Sequence, residues 1–296
     1  MIVVTGPTGN IGHEVVAHLV AEAADVRVIV RDAAKLADQL RNNVDVVEGS
    51  HTDATVLDRA LKGADALFWL VPPDVTKTLD QSYLDFTRPA VGAIHRHKVA
   101  RVVSISALGR GTAWEDRAGL VTASIRMQDM LNTSGAAIRA LALPSFMDNT
   151  LRQVATISTM GLLFGTIDPQ MKTPTIATRD IGITAARLLA DENWKDQEEL
   201  PVLGPEDLSP NELAAIISEV TGRDVRYQQT SLDAFRQQLL AQGVTPSFAE
   251  GYVDMMRAKG EGMDNVAVRS LPHHSPTTFR QWCEEILKPA LINFKP

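Results

Sequence analysis

Three glycines spaced three residues apart, Gly6, Gly9 and Gly12, lie in the run Val3-Val4-Thr5-Gly6-Pro7-Thr8-Gly9-Asn10-Ile11-Gly12, almost at the start of the chain. β-Branched Ile2 to Val4 precede them, and His13 to Val20 follow with apolar residues at helical spacing. The stretch reads as strand, tight turn and helix. Glycine suits such a turn because the bend is sharp, because a pyrophosphate can approach a backbone that has no Cβ, and because the helix must pack closely on the sheet. The helix N-terminus then offers unpaired N–H groups to phosphate. Thr5, Gly6, Thr8, Gly9, Asn10, Ile11 and Gly12 are therefore candidate pyrophosphate-binding residues.

A second strand, Val26-Arg27-Val28-Ile29-Val30, ends at Arg31-Asp32. That is the place, roughly 20 residues beyond the last glycine, where a ribose-reading residue belongs. A carboxylate directly at the strand end would accept from the 2′-hydroxyl of NAD, whereas a guanidinium suits a 2′-phosphate through charge-assisted hydrogen bonds. Arg31 favours NADP(H) over NAD(H). Asp32, one residue on, supports the opposite reading if the register shifts by one.

The rest of the first half alternates. Helical composition at 33–41 leads to a short strand at 44–48, a helix at 52–62, and an apolar run, Ala64 to Val71, of the kind found in a parallel strand buried on both faces. A helix at 79–97, with a kink at Pro89, leads to the strand Arg101 to Ser106; a loop at 109–114 and a helix at 115–133 lead to a sixth strand, 136–143. Strands alternating with helices and joined by right-handed crossovers give an α/β, doubly wound parallel sheet. The alternation fails after Asn149. Residues 1–150 are thus expected to form a dinucleotide-binding domain, and 151–296 a smaller substrate-covering portion partly woven back into the first. Its helices are expected at 179–190, 210–221, 232–242 and 277–287, with strands near 173–176, 200–203 and 225–227.

Composition narrows the classes of partner. With 45% hydrophobic and 22% charged residues the 296-residue chain can bury a full core. A formal charge of −7 and the lack of a basic cluster argue against nucleic acid, whose phosphates must be neutralised by Lys and Arg. No run approaches the ~20 apolar residues that span a bilayer, and a chain opening on a strand leaves no room for a signal peptide. Cys283 is the single cysteine and has no internal partner, so a cytoplasmic protein is expected. The expected partners are a small-molecule substrate and, in a homodimer, a second copy of the chain.

Several segments together are similar to the NmrA-like group of atypical short-chain dehydrogenases/reductases. They are Thr5 to Gly12, Val30-Arg31-Asp32-Ala33-Ala34-Lys35, Lys62-Gly63-Ala64-Asp65, Ser134-Gly135, Pro144-Ser145-Phe146-Met147-Asp148-Asn149 and Thr178-Arg179-Asp180-Ile181-Gly182. The resemblance covers roughly the first 150 residues well and becomes vague beyond Leu203. It implies a Rossmann domain that binds NADP(H), in a group ranging from quinone, azo-dye and triphenylmethane reductases to non-catalytic cofactor sensors. It further implies that Ser50 and His51 lie beside the adenine, although relatives often have Asp where Ser50 stands. Leu70, Val71 and Pro72 would border the ribose and nicotinamide, Ser104, Ile105 and Ser106 would lie under the nicotinamide, and Pro144 and Phe146 would close over it.

The departures bear on mechanism. In a typical short-chain dehydrogenase a Tyr-x-x-x-Lys turn supplies a phenol whose pKa the Lys lowers. Counting back from Ser134-Gly135, the equivalent turn is Ser124-Ile125-Arg126-Met127-Gln128. Neither phenol nor ammonium is present, and Ser124 and Gln128 are the catalytic candidates that remain. An acceptor that is already electron-poor, such as a quinone, an azo compound or an activated alkene, needs less proton help. An NADPH-dependent reductase of such a molecule is the leading reading. The alternative is a non-catalytic NADP(H)-binding redox sensor acting through a protein partner.

Other constellations say less. His95-x-His97 on a helix and the adjacent His273-His274 lack ligand spacing, so no metal site is expected. Trp69 and Trp114 either line a pocket or pack. Residues 242–262, with Met255, Met256 and nearby Met263, form either a mobile lid or a plain surface helix.

Overall fold

The computed structural model describes residues 1–268 and 275–295. In chain order its first half runs β1 (Ile2–Thr5), α1 (Asn10–Ala21), β2 (Val26–Val30), α2 (Asp38–Arg41), β3 (Asp45–Glu48), α3 (Ala54–Leu61), β4 (Ala66–Trp69), α4 (Phe86–His97), β5 (Arg101–Ala107), α5 (Leu120–Asn132) and β6 (Ala137–Leu143). There follow β7 (Ser145–Phe146), α6 (Val154–Met160), β8 (Leu162–Gly165), β9 (Thr173–Ile176), α7 (Thr178–Ala190), β10 (Gln197–Pro201), β11 (Asp207–Leu208), α8 (Pro210–Thr221), β12 (Arg226–Gln229), α9 (Leu232–Ala241), α10 (Pro246–Gly260), α11 (Phe279–Trp282) and α12 (Lys288–Asn293).

The chain divides into two compact units. The first comprises residues 1–107, 123–142 and 181–200; the second comprises 108–122, 143–180 and 201–296. The first unit is built on a seven-stranded sheet in the order β10-β6-β5-β4-β1-β2-β3. Val4 of β1 lies level with Val28 of β2 on one side and Phe68 of β4 on the other, both pairings parallel. From β1 the chain winds outward to β2 and β3, then returns to β4 on the opposite flank. The strand order therefore reverses between β1 and β4, the position where open α/β sheets bind ligands beyond the strand carboxyl ends. This is the α/β doubly wound, Rossmann-like fold expected from the alternation.

The apolar runs explain the sheet's position. All four residues of β1 and all four of β4 are buried, as a parallel strand covered on both faces requires. Helix α1 covers one face with Ile11, Val15, Val16 and Leu19, and each full burial of such a side chain contributes about 1.5–3 kcal/mol. Asp53 starts α3 by accepting from the Thr55 N–H at 2.7 Å.

The second unit has two small sheets, β11-β9-β7 and β12-β8. Its core gathers Met147, Ile157, Leu163, Ile217, Phe279, Trp282, Cys283 and Leu287, with Phe279 stacked on Trp282 at 5.5 Å between centroids. Burial holds the Cys283 thiol up at about 12, so it is inert at neutral pH.

Some expected boundaries shift. The single helix expected at 33–41 is a 3₁₀ turn at Ala33–Lys35, capped at its start by Asp32, followed by the one-turn α2, because Leu36 and Ala37 between them have extended backbone (ψ 135° and 137°). The helix expected at 79–97 begins as a π turn at Gln81–Asp85, immediately upstream of Pro89, whose missing N–H would have bonded to Asp85 in a regular helix. The helix expected from 115 starts at Leu120. Residues 242–262 resolve into α10, a packed helix that buries Phe248, Ala249 and Val253. Among the described residues no helix is long and apolar enough to cross a membrane.

Candidate functional site

The glycine turn joins β1 to α1 within the first unit, and two of its glycines are required by the protein itself. Gly6 has φ +64°, a left-handed conformation that side chains other than glycine rarely adopt. A Cβ on Gly12 would lie 2.1 Å from the Gly6 carbonyl oxygen, so α1 could not approach the turn so closely. Gly9 differs. Its nearest neighbour to a new Cβ would be the Gly6 oxygen at an ordinary 3.6 Å, and its φ of −91° suits any residue. The fold alone therefore leaves room for a Cβ at Gly9.

The start of α1 is likewise open to an anion. Gly9 is its N-cap and no side chain caps the helix; its first turn carries no acidic residue. The positive end of the helix is thus not neutralised from within. Thr5 turns away from this turn: its buried hydroxyl donates to the Phe68 carbonyl at 2.9 Å and accepts from the Leu70 N–H at 3.1 Å. It ties the carboxyl end of β1 to that of β4, and any contact it makes with a ligand is by its main chain. Thr8 and Asn10 are exposed, while Ile11 packs into the core.

At the end of β2 the two candidate ribose readers separate. The Asp32 carboxylate accepts from the Ala34 N–H at 3.0 Å, and the Ala33 N–H donates to Glu48 at 3.3 Å. Arg31 is exposed and, among the described residues, has no carboxylate partner. Its charge is felt by His51, whose protonation it opposes. The His51 ring is wedged edge-on against Trp69 and Phe86, at centroid distances of 5.4 and 4.9 Å, with Nε2 3.3 Å from the Leu70 carbonyl. Burial is the main reason its pKa falls to about 4; the ring is neutral at pH 7, and Nε2–H donates to Leu70. Ser50 bonds to the Thr52 hydroxyl at 2.8 Å. Leu70 and Val71 are half-buried and Pro72 is exposed.

β5 carries three further candidates. Ile105 is half-buried. Ser104 is fully buried, and its hydroxyl donates to Gln128 Oε1 of α5 at 2.6 Å. Gln128 Nε2 in turn donates to Asn132 Oδ1 at 2.8 Å. The chain Ser104-Gln128-Asn132 contains no group that titrates near neutral pH. Ser106 is also buried, yet its Oγ has no hydrogen-bond partner. Pro144 and Phe146 belong to the second unit, where Phe146 of β7 lies level with Ile176 of β9.

Residues that sequence reasoning did not single out as functional also shape the site. Gly182 of α7 faces α1 so closely that a Cβ would lie 2.4 Å from the Glu14 Cβ and 2.9 Å from the Ile11 carbonyl oxygen. Phe86 and Glu48 hold His51 and the Ala33 turn, and Asn132 extends the amide chain. None carries a local signal, because each partner is remote in sequence. Of the two tryptophans weighed as pocket walls, Trp69 is wholly buried with Nε1–H donating to Thr87, and Trp114 Nε1–H donates to Glu261 at 2.9 Å. Among the described residues no three His, Cys, Asp or Glu side chains gather as a metal site; His97 lies 2.9 Å from Asp58, and His273 and His274 fall outside those residues.

A parallel sheet whose strand order reverses between β1 and β4, with this glycine turn at the reversal, is the Rossmann-type arrangement. The chain belongs to the NmrA-like family, whose model matches residues 1–267. It is 30% identical to a (4-alkanoyl-5-oxo-2,5-dihydrofuran-3-yl)methyl phosphate reductase of Streptomyces griseus, covering 96% of this chain and 97% of that protein. It is 28% identical to an NAD(P)H azoreductase of Xenophilus azovorans, covering 84% of each. Its fold is similar to that of an NADPH-dependent quinone oxidoreductase from Escherichia coli complexed with NADPH, with a TM-score of 0.80 at 23% identity over 97% of this chain and 100% of the other.

Proposed function

We propose that the protein is an NADPH-dependent reductase of a small, electron-poor organic acceptor and works without a Tyr-Lys dyad. The observation that carries this reading is the division of labour in the glycine turn: Gly6 and Gly12 are required by the fold, while the fold does not require glycine at position 9. The relatives named as reductases support the reaction class. The name of the Streptomyces griseus enzyme's substrate writes a ring alkene flanked by an alkanoyl group and a ring carbonyl, an activated alkene of the expected kind.

In this reading the main chain at 6–12 and the start of α1 hold the diphosphate, and Arg31 binds the 2′-phosphate with its otherwise unpaired guanidinium. Asp32 is occupied as a cap and does not compete for the ribose. His51 and Ser50 line the adenine side, and Leu70, Val71, Pro72 and Ile105 border the ribose and nicotinamide, while Ser104, fully buried and bonded to Gln128, lies behind them. When bound, NADPH supplies a hydride from its dihydronicotinamide ring. The protein's part is to orient the acceptor against that ring and to exclude water. Ser124 and Gln128 stand where the dyad would be, and neither exchanges a proton near neutral pH.

The test is direct. Purified protein is titrated with NADPH and NADH by fluorescence, and oxidation of NADPH is followed with quinone, azo and enone panels. Arg31→Glu is expected to abolish the preference for NADPH over NADH. An unchanged preference overturns the NADP(H) assignment, and no NADPH oxidation with any acceptor overturns the enzymatic reading.

The non-titrating chain Ser104-Gln128-Asn132 favours a second reading, a sensor that distinguishes NADP⁺ from NADPH and signals to a partner. A sensor requires unequal affinity for the two redox forms, since a pair bound equally shifts nothing. Calorimetry giving equal dissociation constants excludes it.

A further inference from the structure

We infer that the second unit carries a subsite for a neutral hydroxyl group, built from Lys259, Asp264 and Thr166, so that the acceptor bears an alcohol on a side chain away from its reducible centre. The inference rests on the reductase reading above, in which the second unit covers the acceptor, and adds a recognition group to that acceptor. Lys259, near the end of α10, and Asp264, in the 3₁₀ turn Met263–Val266, are 7% and 3% exposed and form an ion pair through Asp264 Oδ2. Two charges taken out of water are well held only where their remaining lone pairs and N–H groups are satisfied as well. Here they are not. Asp264 Oδ1 is buried without a hydrogen-bond partner, and among the described residues the Lys259 ammonium donates to Asp264 Oδ2 alone. Thr166 Oγ1 is a second buried oxygen without a partner.

Neighbouring contacts bring these groups together. Ile167 Cδ1 lies 3.8 Å from where a Cβ on Gly260 would stand, and Met171 Cε lies 3.7 Å from the corresponding point on Gly262. Asn265 Nδ2 donates to the Lys172 carbonyl at 2.9 Å. Residues 166–172 thus run beside 259–265, with Thr166 at the Lys259 end. A single buried polar atom without a partner is uncommon, and two of them beside a half-satisfied ion pair mark a place suited to a polar ligand. Its surroundings are apolar. Met263 is fully buried, with Sδ 3.1 Å from where a Cβ on Gly109 would stand, and Gly109 lies in the loop that leaves the carboxyl end of β5. The thioethers of Met171 and Met263 conform readily to an irregular ligand.

The two charges decide the class of ligand. An anion gains from Lys259 but meets the Asp264 carboxylate at close range, and a cation meets the reverse, so neither is favoured. A hydroxyl suits both partners. Its oxygen accepts from Lys259 Nζ–H and from Thr166 Oγ1–H, and its own O–H donates to Asp264 Oδ1. Every group is then paired, and no proton changes owner. An otherwise identical acceptor with a plain alkyl chain leaves the three groups unpaired, the situation in which a site discriminates most strongly against an analogue. Because the contact is made away from the carbon that receives hydride, it is the same in ground and transition states and acts on KM rather than kcat.

The experiment compares matched pairs of naphthoquinones, 2-alkyl and 2-(ω-hydroxyalkyl) with the same chain, over a series of rising chain length. At the length that reaches the subsite, wild type is expected to show a KM about tenfold lower for the hydroxyl member with kcat little changed, the worth of a hydrogen bond to a charged group. The double variant Lys259→Met/Asp264→Leu, which replaces the ion pair by apolar groups of similar size, is expected to lose the preference and still bind NADPH. Thr166→Val is expected to weaken the preference and Thr166→Ser to keep it. Thr166→Val removes a hydroxyl that has no partner, so its unfolding midpoint is expected to equal or exceed that of wild type. A second readout needs no turnover: with NADP⁺ present, the hydroxyl member should raise the wild-type midpoint more than its alkyl partner does, and the two should act equally on the double variant. Equal KM values and equal midpoint shifts across the wild-type series, a preference that survives in the double variant, or a lower midpoint in Thr166→Val, the mark of a hydroxyl spent on a structural water, overturns the inference. Failure of wild type to oxidise NADPH with any member, while the hydroxyl-dependent midpoint shift persists, overturns the reductase reading instead and leaves the subsite standing.

Discussion

Gly9 and Gly12 share one turn but occupy it for different physical reasons, and substitution separates them. Gly12→Ala drives a Cβ into the Gly6 carbonyl. The backbone must shift at a cost of about 1–3 kcal/mol, read as a lower unfolding midpoint, and NADPH binding falls with it. Gly9→Ala meets no protein atom closer than 3.6 Å, so stability changes by less than about 1 kcal/mol, yet NADPH affinity drops because the new methyl occupies the diphosphate's space. A Gly9→Ala protein that binds NADPH like wild type would remove the argument for a cradle. His51 makes a pH prediction at the same scale. In the unfolded chain it titrates near 6.5, and in the folded chain near 4. Between those values the unfolded state binds more protons. The stability that depends on a neutral ring is complete above 6.5 and is lost as pH falls toward 4, by up to about 3 kcal/mol. His51→Gln keeps an N–H donor for Leu70 and is expected to flatten that decline in urea unfolding; an equally steep decline would assign it to other groups.

Helix α1 is placed by its neighbours as much as by its own sequence. Gly182 lets α7 approach until only glycine fits between the Ile11 carbonyl and Glu14. Gly182→Val is expected to push α1 away from the turn and weaken NADPH binding several-fold, with a loss of stability above about 3 kcal/mol, although residue 182 belongs to another helix. Unchanged NADPH affinity in a destabilised variant would show that α1 moves with the turn as one body. Between β5 and α5 the Ser104-Gln128-Asn132 chain replaces a titrating pair by amides and a hydroxyl. The pH profile of kcat is expected to lack a break between pH 6.5 and about 9, where a lysine-activated phenol would produce one. The element types in this region were legible in the sequence because periodicity is local. The starts of α2 and α4 were not, because the extended break at Leu36 and Ala37 and the π turn before Pro89 depend on which backbone groups find partners.

For the molecule as a whole, a cofactor that binds only the native state must stabilise it. NADPH at 100 times its dissociation constant is expected to add about 2.7 kcal/mol and raise the calorimetric midpoint by several degrees. In Arg31→Glu that increment should persist for NADH and vanish for NADPH; an identical response to both would detach Arg31 from cofactor choice. The strand and helix periods, the glycine spacing and the crossover alternation were determined by the sequence alone, since each depends on neighbours within a few residues. With them came the doubly wound sheet and the location of the turn. Other assignments waited for the tertiary structure: that Asp32 is spent on a cap while Arg31 stays unpaired, that Thr5 is bonded to Phe68 and Leu70, and that Ser104 has a partner in α5 while Ser106 has none. The Thr5 and Ser104 bonds join residues 63, 65 and 24 positions apart, and the state of a buried hydroxyl depends on whatever the fold brings beside it. No local pattern encodes that distance, and only the packed sheet closes it.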